Sequence, residues 1–145
     1  MEDSGGRMKI NYRNVEKLNE IYLHDAVFEG FNYDYEKKQV IIEMAAWGTK
    51  TERYDRRYRF TFLNTLGIEV LAGDFWGPTP HVYDWETVSG AEEEFVKKII
   101  NEDKFDNLKY RIENIEYILN TTIEISSGDK VKIVCETIEV KKTVM

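Results

Sequence analysis

Residues 115–135 read IEYILNTTIEISSGDKVKIVC, and this stretch decides the fold class. Large apolar residues alternate with polar ones on both sides of Ser127-Gly128-Asp129, which has the composition of a turn. The pattern predicts a long antiparallel hairpin. Farther along, Ile138 and Val140 take the opposite parity, which indicates a bulge near Glu136-Thr137 within the same hairpin.

The rest of the chain adds strands more often than helices. Alternation with a period of two predicts strands over 26–35, 39–47, 58–64 and 67–75. The charge-rich residues 48–57 predict a loop, and apolar residues three and four positions apart predict short helices over 14–22 and 91–101. About six strands and two short helices predict an α+β fold dominated by antiparallel β-sheet.

The chain length and the single cysteine limit the organisation. A chain of 145 residues is the size of one domain, which we expect to span 11–145, after a disordered or frayed N-terminus over 1–10. Cys135 lies among alternating apolar residues and is expected to be a buried hydrophobe rather than a nucleophile. The chain has no signal-peptide pattern and no membrane-length apolar run, so we predict a soluble, cytoplasmic protein.

The net charge of -7 argues against a general nucleic-acid binder. Residues 60–96 contain no Lys or Arg, and the excess acids lie there: Glu69, Asp74, Asp84, Glu86, Glu92, Glu93 and Glu94. Such a run is usually a solvated face. The functional alternative is an electrostatic field that steers a basic partner toward this surface.

Residues 74–86 read DFWGPTPHVYDWE and hold both prolines and two of the three tryptophans. The prolines predict a loop, or a loop that runs into an edge strand. Because aromatic side chains dominate binding hot spots, the predicted binding residues are Asp74, Trp76, His81, Tyr83, Asp84, Trp85 and Glu86. The alternative is that the tryptophans plug a barrel end or cover a sheet edge.

His24 and Asp25 are adjacent, and such a pair can serve in acid–base catalysis or as metal ligands. Neighbouring residues on a strand point to opposite faces, so we favour a structural helix-to-strand corner with Leu23 in the core. The set His24, Asp25, His81 and Asp84 lacks the ligand spacing of known metal motifs, and no nucleotide-binding loop or nucleophile elbow is present. We predict no catalytic residue, no metal and no cofactor.

Leu23-His24-Asp25 and the predicted hairpin that follows it resemble a loose group of small, mostly uncharacterised bacterial domains. These domains open with a Leu-His-Asp corner, and their last hairpin is similar to residues 128–135 with Ile138-Glu139-Val140 closing. Some members resemble immunity proteins that neutralise polymorphic toxins. The resemblance implies no catalytic residues.

We therefore predict a non-enzymatic protein-binding domain of the immunity type that blocks a basic partner, such as a nuclease with a basic substrate groove. Neither a nucleic acid nor a membrane is an expected partner. One alternative is a small enzyme or metal-binding protein that uses His24, Asp25 and His81. Another is a structural module that forms a homodimer through a sheet edge or the aromatic loop.

Overall fold

The computed structural model describes residues 6–48, 53–71, 80–103 and 107–144. They form nine strands and three short α-helices, and a 3-10 turn covers Ile115–Tyr117. The strands are β1 (Arg7–Ile10), β2 (Val27–Asp34), β3 (Gln39–Gly48), β4 (Arg53–Leu63), β5 (Gly67–Leu71), β6 (Val82–Ser89), β7 (Leu119–Ile125), β8 (Lys130–Cys135) and β9 (Thr137–Val144). The helices are α1 (Glu16–Asn19), α2 (Glu94–Asn101) and α3 (Leu108–Arg111).

The strands form two antiparallel sheets. Sheet A has the order β1-β9-β4-β3-β2, and sheet B has the order β5-β8-β7-β6. This confirms the predicted α+β class with a dominant antiparallel sheet. The predicted numbers of strands and helices, about six and two, are lower than those in the structure. No helix of the described residues has the length and apolar character needed to cross a membrane.

Two segments bend from one sheet into the other and join the sheets at a corner. After β4 the chain passes through 64–66 into β5, and after β8 it passes through Glu136 into β9. The backbone amide of Glu136 donates to the Leu63 carbonyl at 3.2 Å, and that of Leu66 donates to the Val134 carbonyl at 2.7 Å. The two segments therefore remain paired through the bend, as in sandwiches whose strands switch sheets.

The bend explains the parity change in the last third of the chain. The predicted hairpin is real for β7 and β8, but β9 pairs with β4 and β1 in sheet A. The predicted bulge within one hairpin is therefore wrong. Glu136 ends one strand and precedes another, and the shift of parity keeps Ile133 and Ile138, both fully buried, facing the same interior.

The main core lies between the sheets and contains the inward residues of both. Phe60 and Phe62 on β4 are its largest fully buried side chains. Residues from six further strands and from α1 complete it, including Ile10, Leu18, Ile42, Met44, Val82, Ile123, Ile133 and Ile138. Burying a side chain of this size contributes about 1.5–3 kcal/mol, so this layer accounts for most of the stability.

A second, smaller core lies under α2. Phe95 and Val96 pack with Val134, whose neighbours Ile133 and Cys135 face the main core. Adjacent strand residues point to opposite faces, so α2 covers the outer face of sheet B. A side chain on Gly67 would collide with Ile99 of this helix. A larger residue at that position therefore requires the Ile99 side chain to move.

Two predictions of irregular structure are wrong. Arg7–Ile10, expected within the frayed N-terminus, forms β1 and pairs with β9, and Ile10 is fully buried; residues 1–5 lie outside the described part of the chain. Within the predicted loop over 48–57, residues 53–57 belong to β4. In β1 the charged Arg7 and Lys9 are exposed and alternate with Met8 and Ile10, which face the core. Residues 53–57 contain no fully buried side chain, so their sequence lacks the alternation that marks the rest of β4.

Candidate functional site

The predicted aromatic loop continues into β6, which is an edge strand of sheet B, as the sequence indicates. The register with β7 shifts between Val82 and Asp84, so Tyr83 is an extra residue at a bulge. Tyr83 is 64% exposed, and Asp84 and Glu86 are exposed beside it. Three of the predicted binding residues therefore present their side chains on the surface.

Side chains close the outer edge of β6. The Asn19 amide donates to the Thr87 carbonyl at 2.9 Å and accepts the Thr87 amide at 3.1 Å, as a neighbouring strand would. The Trp85 amide donates to Asp84 Oδ1 at 3.0 Å, and His24 Nδ1 lies 3.1 Å from the Tyr83 carbonyl. Because these backbone groups are occupied, β6 is protected from pairing with another chain.

We expect Asn19→Ala to lower the free energy of unfolding by about 1 kcal/mol, because it removes two partly buried hydrogen bonds. Asn19→Asp keeps the acceptor and loses the donor, so it should have an intermediate effect. Urea denaturation measures both. Equal stability of Asn19→Ala and the wild type would contradict the role of this side chain as an edge cover.

His24 and Asp25 form the helix-to-strand corner that the sequence predicts, with Leu23 buried. Asp25 has a left-handed backbone (φ 64°) and is held by hydrogen bonds from its amide to Val82 and from Tyr54 Oη to its carbonyl. On a regular strand His24 and Asp25 could not easily pair, yet Nε2 and Oδ2 lie 3.7 Å apart here. The turn at Asp25 breaks the strand alternation on which that expectation depended.

Beside this corner, three side chains form what we call the aromatic ledge: Tyr22, His24 and Tyr83. The His24 ring meets each tyrosine edge-on, with centroids 6.4 Å apart in both pairs. Tyr22 is 47% exposed and His24 is also exposed. A groove of about 280 Å³ runs between residues 19–24 and β6, and its polar lining includes Glu20 and Asp84.

Trp85 is half-buried, and it lines the same groove as Tyr22 and Tyr83. Its ring lies 4.8 Å from that of Phe60 and 6.3 Å from that of Phe62, at the margin of the main core. Its indole Nε1 is buried without a hydrogen-bond partner. Trp85 therefore packs against the core, and its role as a contact residue stays a prediction. Asp74 and Trp76 lie outside the described residues.

His81 lies apart from the aromatic ledge. It forms an isolated bridge with Val27 of sheet A and lines a shallow depression with Asp25, Trp47 and Tyr54. The Tyr54 and His81 ring centroids are 6.5 Å apart. Within the described ranges, no three His, Cys, Asp or Glu side chains are grouped so that they could hold a metal ion.

The acids of residues 60–96 do not form one face. Glu69 lies on β5, at the opposite edge of sheet B from β6, and its carboxylate is 3.6 Å from Lys98 Nζ. Glu92, Glu93 and Glu94 are exposed where α2 begins. Of these acids, Asp84 is the one among the described residues that lines the groove beside the aromatic ledge, and Glu86 is exposed two residues farther along β6; Asp74 lies outside the described residues. The acidic surface at the ledge is therefore narrower than the sequence suggests.

Cys135 is fully buried in the main core, and burial raises the pKa of its thiol. The neutral thiol is a poor nucleophile. This confirms the interpretation of Cys135 as a buried hydrophobe.

Sequence reasoning missed Asn19, Glu20 and Tyr22, which line the groove. Tyr22 is one of the apolar residues whose spacing predicts the helix over 14–22, so the sequence pattern does not mark it as a surface residue. In the structure α1 ends at Asn19, so Tyr22 lies beyond the helix and is exposed. The chain matches no protein-family model and no curated protein.

Proposed function

We propose that this protein is a non-enzymatic binding domain that recognises a basic protein partner through the aromatic ledge and the acids around it. The observation that carries the proposal is the exposure of Tyr22 and Tyr83 on the two walls of one groove. Exposed tyrosines supply a large contact area at a low entropic cost, and they are enriched among hot-spot residues.

Charge supports a basic partner. Glu20 and Asp84 are exposed and line the groove, and the described residues that line it include no Lys or Arg. Complementary charge raises the association rate and excludes acidic competitors. The resemblance of the Leu23-His24-Asp25 corner to immunity-type domains agrees with a toxin enzyme as that partner, and a nuclease has the required basic groove.

Rigidity also supports the proposal. His24 is fixed to the Tyr83 carbonyl, and Asn19 fixes β6 at Thr87, so both walls of the groove are tied to each other. Partners that are ordered before binding lose less conformational entropy when they associate. The covered edge of β6 argues that recognition uses these side chains rather than strand addition.

The test is a calorimetric titration against the purified products of the genes adjacent to this one. For a product that binds, Tyr83→Ala should weaken binding by about tenfold or more, and Asp84→Lys should mainly slow association. Tyr110→Ala is the matched aromatic control, because Tyr110 is 78% exposed on α3. Glu102→Lys, at an exposed position after α2, is the matched charge control.

Unchanged affinity in Tyr83→Ala and Asp84→Lys together would reject the ledge as the contact. Light scattering of the protein alone separates a monomeric binder from the self-associating alternative. A dimer that Tyr83→Ala dissociates would also reject the proposal, because the ledge would then be occupied by a second copy. Circular dichroism of each variant confirms that the fold is retained.

A further inference from the structure

A separate pocket opens where the chain passes from sheet A to sheet B. It has a volume of about 330 Å³ and lies between the turn that joins β2 to β3, the start of β5 and the end of α3. Its lining consists of Tyr33, Lys38, residues 65–68 and Arg111. No Asp or Glu of the described residues lines it, although the chain as a whole has a net charge of -7. The pocket is therefore cationic on an acidic protein.

The corner between the two sheets fixes the side chain of Arg111, the last residue of α3. Its Nη2 donates to the Asn64 side-chain oxygen at 3.0 Å and to the Thr65 carbonyl at 2.6 Å. The Asn64 side-chain nitrogen in turn donates to the Arg111 carbonyl at 2.7 Å, so Asn64 holds both the backbone and the guanidinium of Arg111. A side chain that is ordered before binding loses less conformational entropy when a ligand arrives.

Neutral groups hold this guanidinium, and no acid of the described residues neutralises it. Both acceptors of Nη2 are amide oxygens, and Glu136 contacts the Asn64 side-chain nitrogen at 3.5 Å rather than the guanidinium. The N–H groups of Nε and Nη1 have no acceptor in the described part of the chain. Because Arg111 is half-buried, these donors are partly withdrawn from water, and an anion would satisfy them.

Lys38 supplies the second positive charge. Its amino group lies 3.5 Å from the centroid of the Tyr35 ring, and none of the described carboxylates forms an ion pair with it. The Lys38 carbonyl accepts the Thr65 amide at 2.8 Å, so Thr65 is bonded to both cationic residues and holds the two walls of the pocket together. The flexible lysine stem allows the ammonium group to turn from the ring toward a bound anion.

We propose that this pocket binds a phosphate group. Two cations from separate elements match a group that carries nearly two negative charges at neutral pH. Arg111 donates hydrogen bonds in a fixed direction, and Lys38 adds a mobile point charge. Leu66 and Ile68 in the lining suit the apolar part of a phosphate ester. The pocket adjoins β5 and the aromatic ledge borders β6, at the opposite edge of sheet B, so the two proposals rest on different residues.

The test is an NMR titration of the full chain with inorganic phosphate and, separately, with phenyl phosphate, at a fixed ionic strength of about 0.15 M. The wild type should bind both at one site, and the amide signals of residues 65–68 should shift most, because these residues line the pocket. Lys38→Glu should weaken binding by about tenfold or more, because it places a like charge beside the ligand. Arg111→Gln should weaken binding to a similar extent, because it removes the fixed cation.

Lys37→Glu is the matched control for the charge reversal. Lys37 is exposed in the same turn as Lys38 but does not line the pocket, so the same change of net charge should alter binding by less than about threefold. Arg111 also ties α3 to the corner, so circular dichroism has to show that Arg111→Gln is folded. If it is not, Lys38→Glu decides the test, because the Lys38 side chain lies on the surface turn against Tyr35.

Tighter binding of phenyl phosphate than of inorganic phosphate would support a phosphate ester as the source of the group, and equal binding would support free phosphate. The proposal fails if phosphate shifts the amides of residues 65–68 no more than sodium chloride of equal ionic strength does, or if Lys38→Glu binds as the wild type does. Tighter binding of benzoate than of phenyl phosphate would also overturn it, because the pocket would then select a carboxylate.

Discussion

Replacing Phe60 with alanine lowers the free energy of unfolding by about 3–5 kcal/mol, which is the range for deletion of a buried aromatic ring. Phe60 is fully buried on the central strand β4, and its ring contacts those of Tyr58 and Trp85 from the two sheets. Removal of the ring therefore loses the favourable free energy of transferring the ring from water to the interior, and it leaves a void where the sheets meet. Urea denaturation followed by tryptophan fluorescence measures the change.

Phe31→Ala is the matched control for this substitution. Phe31 is also a strand residue, but it lies on the edge strand β2 and is 40% exposed. We expect its loss to cost less than about 2 kcal/mol, because much of the ring is already in water. Equal effects of the two substitutions would mean that the interior between the sheets is not the main source of stability.

Gly67→Val gives the second large effect, a loss of about 2–3 kcal/mol from overpacking. An ideal Cβ at this position would lie 2.9 Å from Ile99 Cγ1 and 3.6 Å from the Phe95 ring, and closer still to Ile99 Cδ1. A branched side chain therefore has to displace the Ile99 side chain, which packs against the second core from α2.

A double-mutant cycle tests the cause of the Gly67→Val effect. If the collision with Ile99 is responsible, Ile99→Ala should recover about 1 kcal/mol or more of the Gly67→Val loss. Gly30→Val is the matched glycine control, because nothing lies within 4 Å of a Cβ at that position. We expect it to change stability by less than about 0.5 kcal/mol. A loss at Gly30 as large as that at Gly67 would indicate a backbone effect instead.

The strands with one buried face were predictable, and the joints between sheets were not. The alternation in 26–35 and 39–47 predicts β2 and β3 almost residue by residue. β3 buries one face in the core, whereas β2 is an edge strand without a fully buried residue. β1 was missed because four residues carry little pattern and its partner β9 lies far along the chain. A bulge and a change of sheet both shift parity, so the sequence could not distinguish them at Glu136.

The candidate site was also predictable only in part. The sequence names Tyr83, Asp84 and Glu86 as binding residues, and all three are exposed in the structure, while their role in binding stays a prediction. The bulge at Tyr83 explains the different setting of Trp85, whose ring would share a face with Tyr83 on a regular strand but packs against Phe60 instead. The contribution of Tyr22 depends on where α1 ends and how the corner at Asp25 turns, and both are set by tertiary contacts.

The pairing of β1 with β9 constrains the order in which the protein folds. β2, β3 and β4 are consecutive neighbours and can associate as soon as residue 63 is available. β9 then has to add to the free edge of β4, and only afterwards does β1 find its partner. The long chain segments that separate β9 from β4 and from β1 must close before these strands can pair. The conformational entropy that is lost in this closure slows folding. Until residues 137–144 have been synthesised, the edge of β4 that pairs with β9 has no partner strand. The nascent chain with this open edge is the species most prone to aggregation.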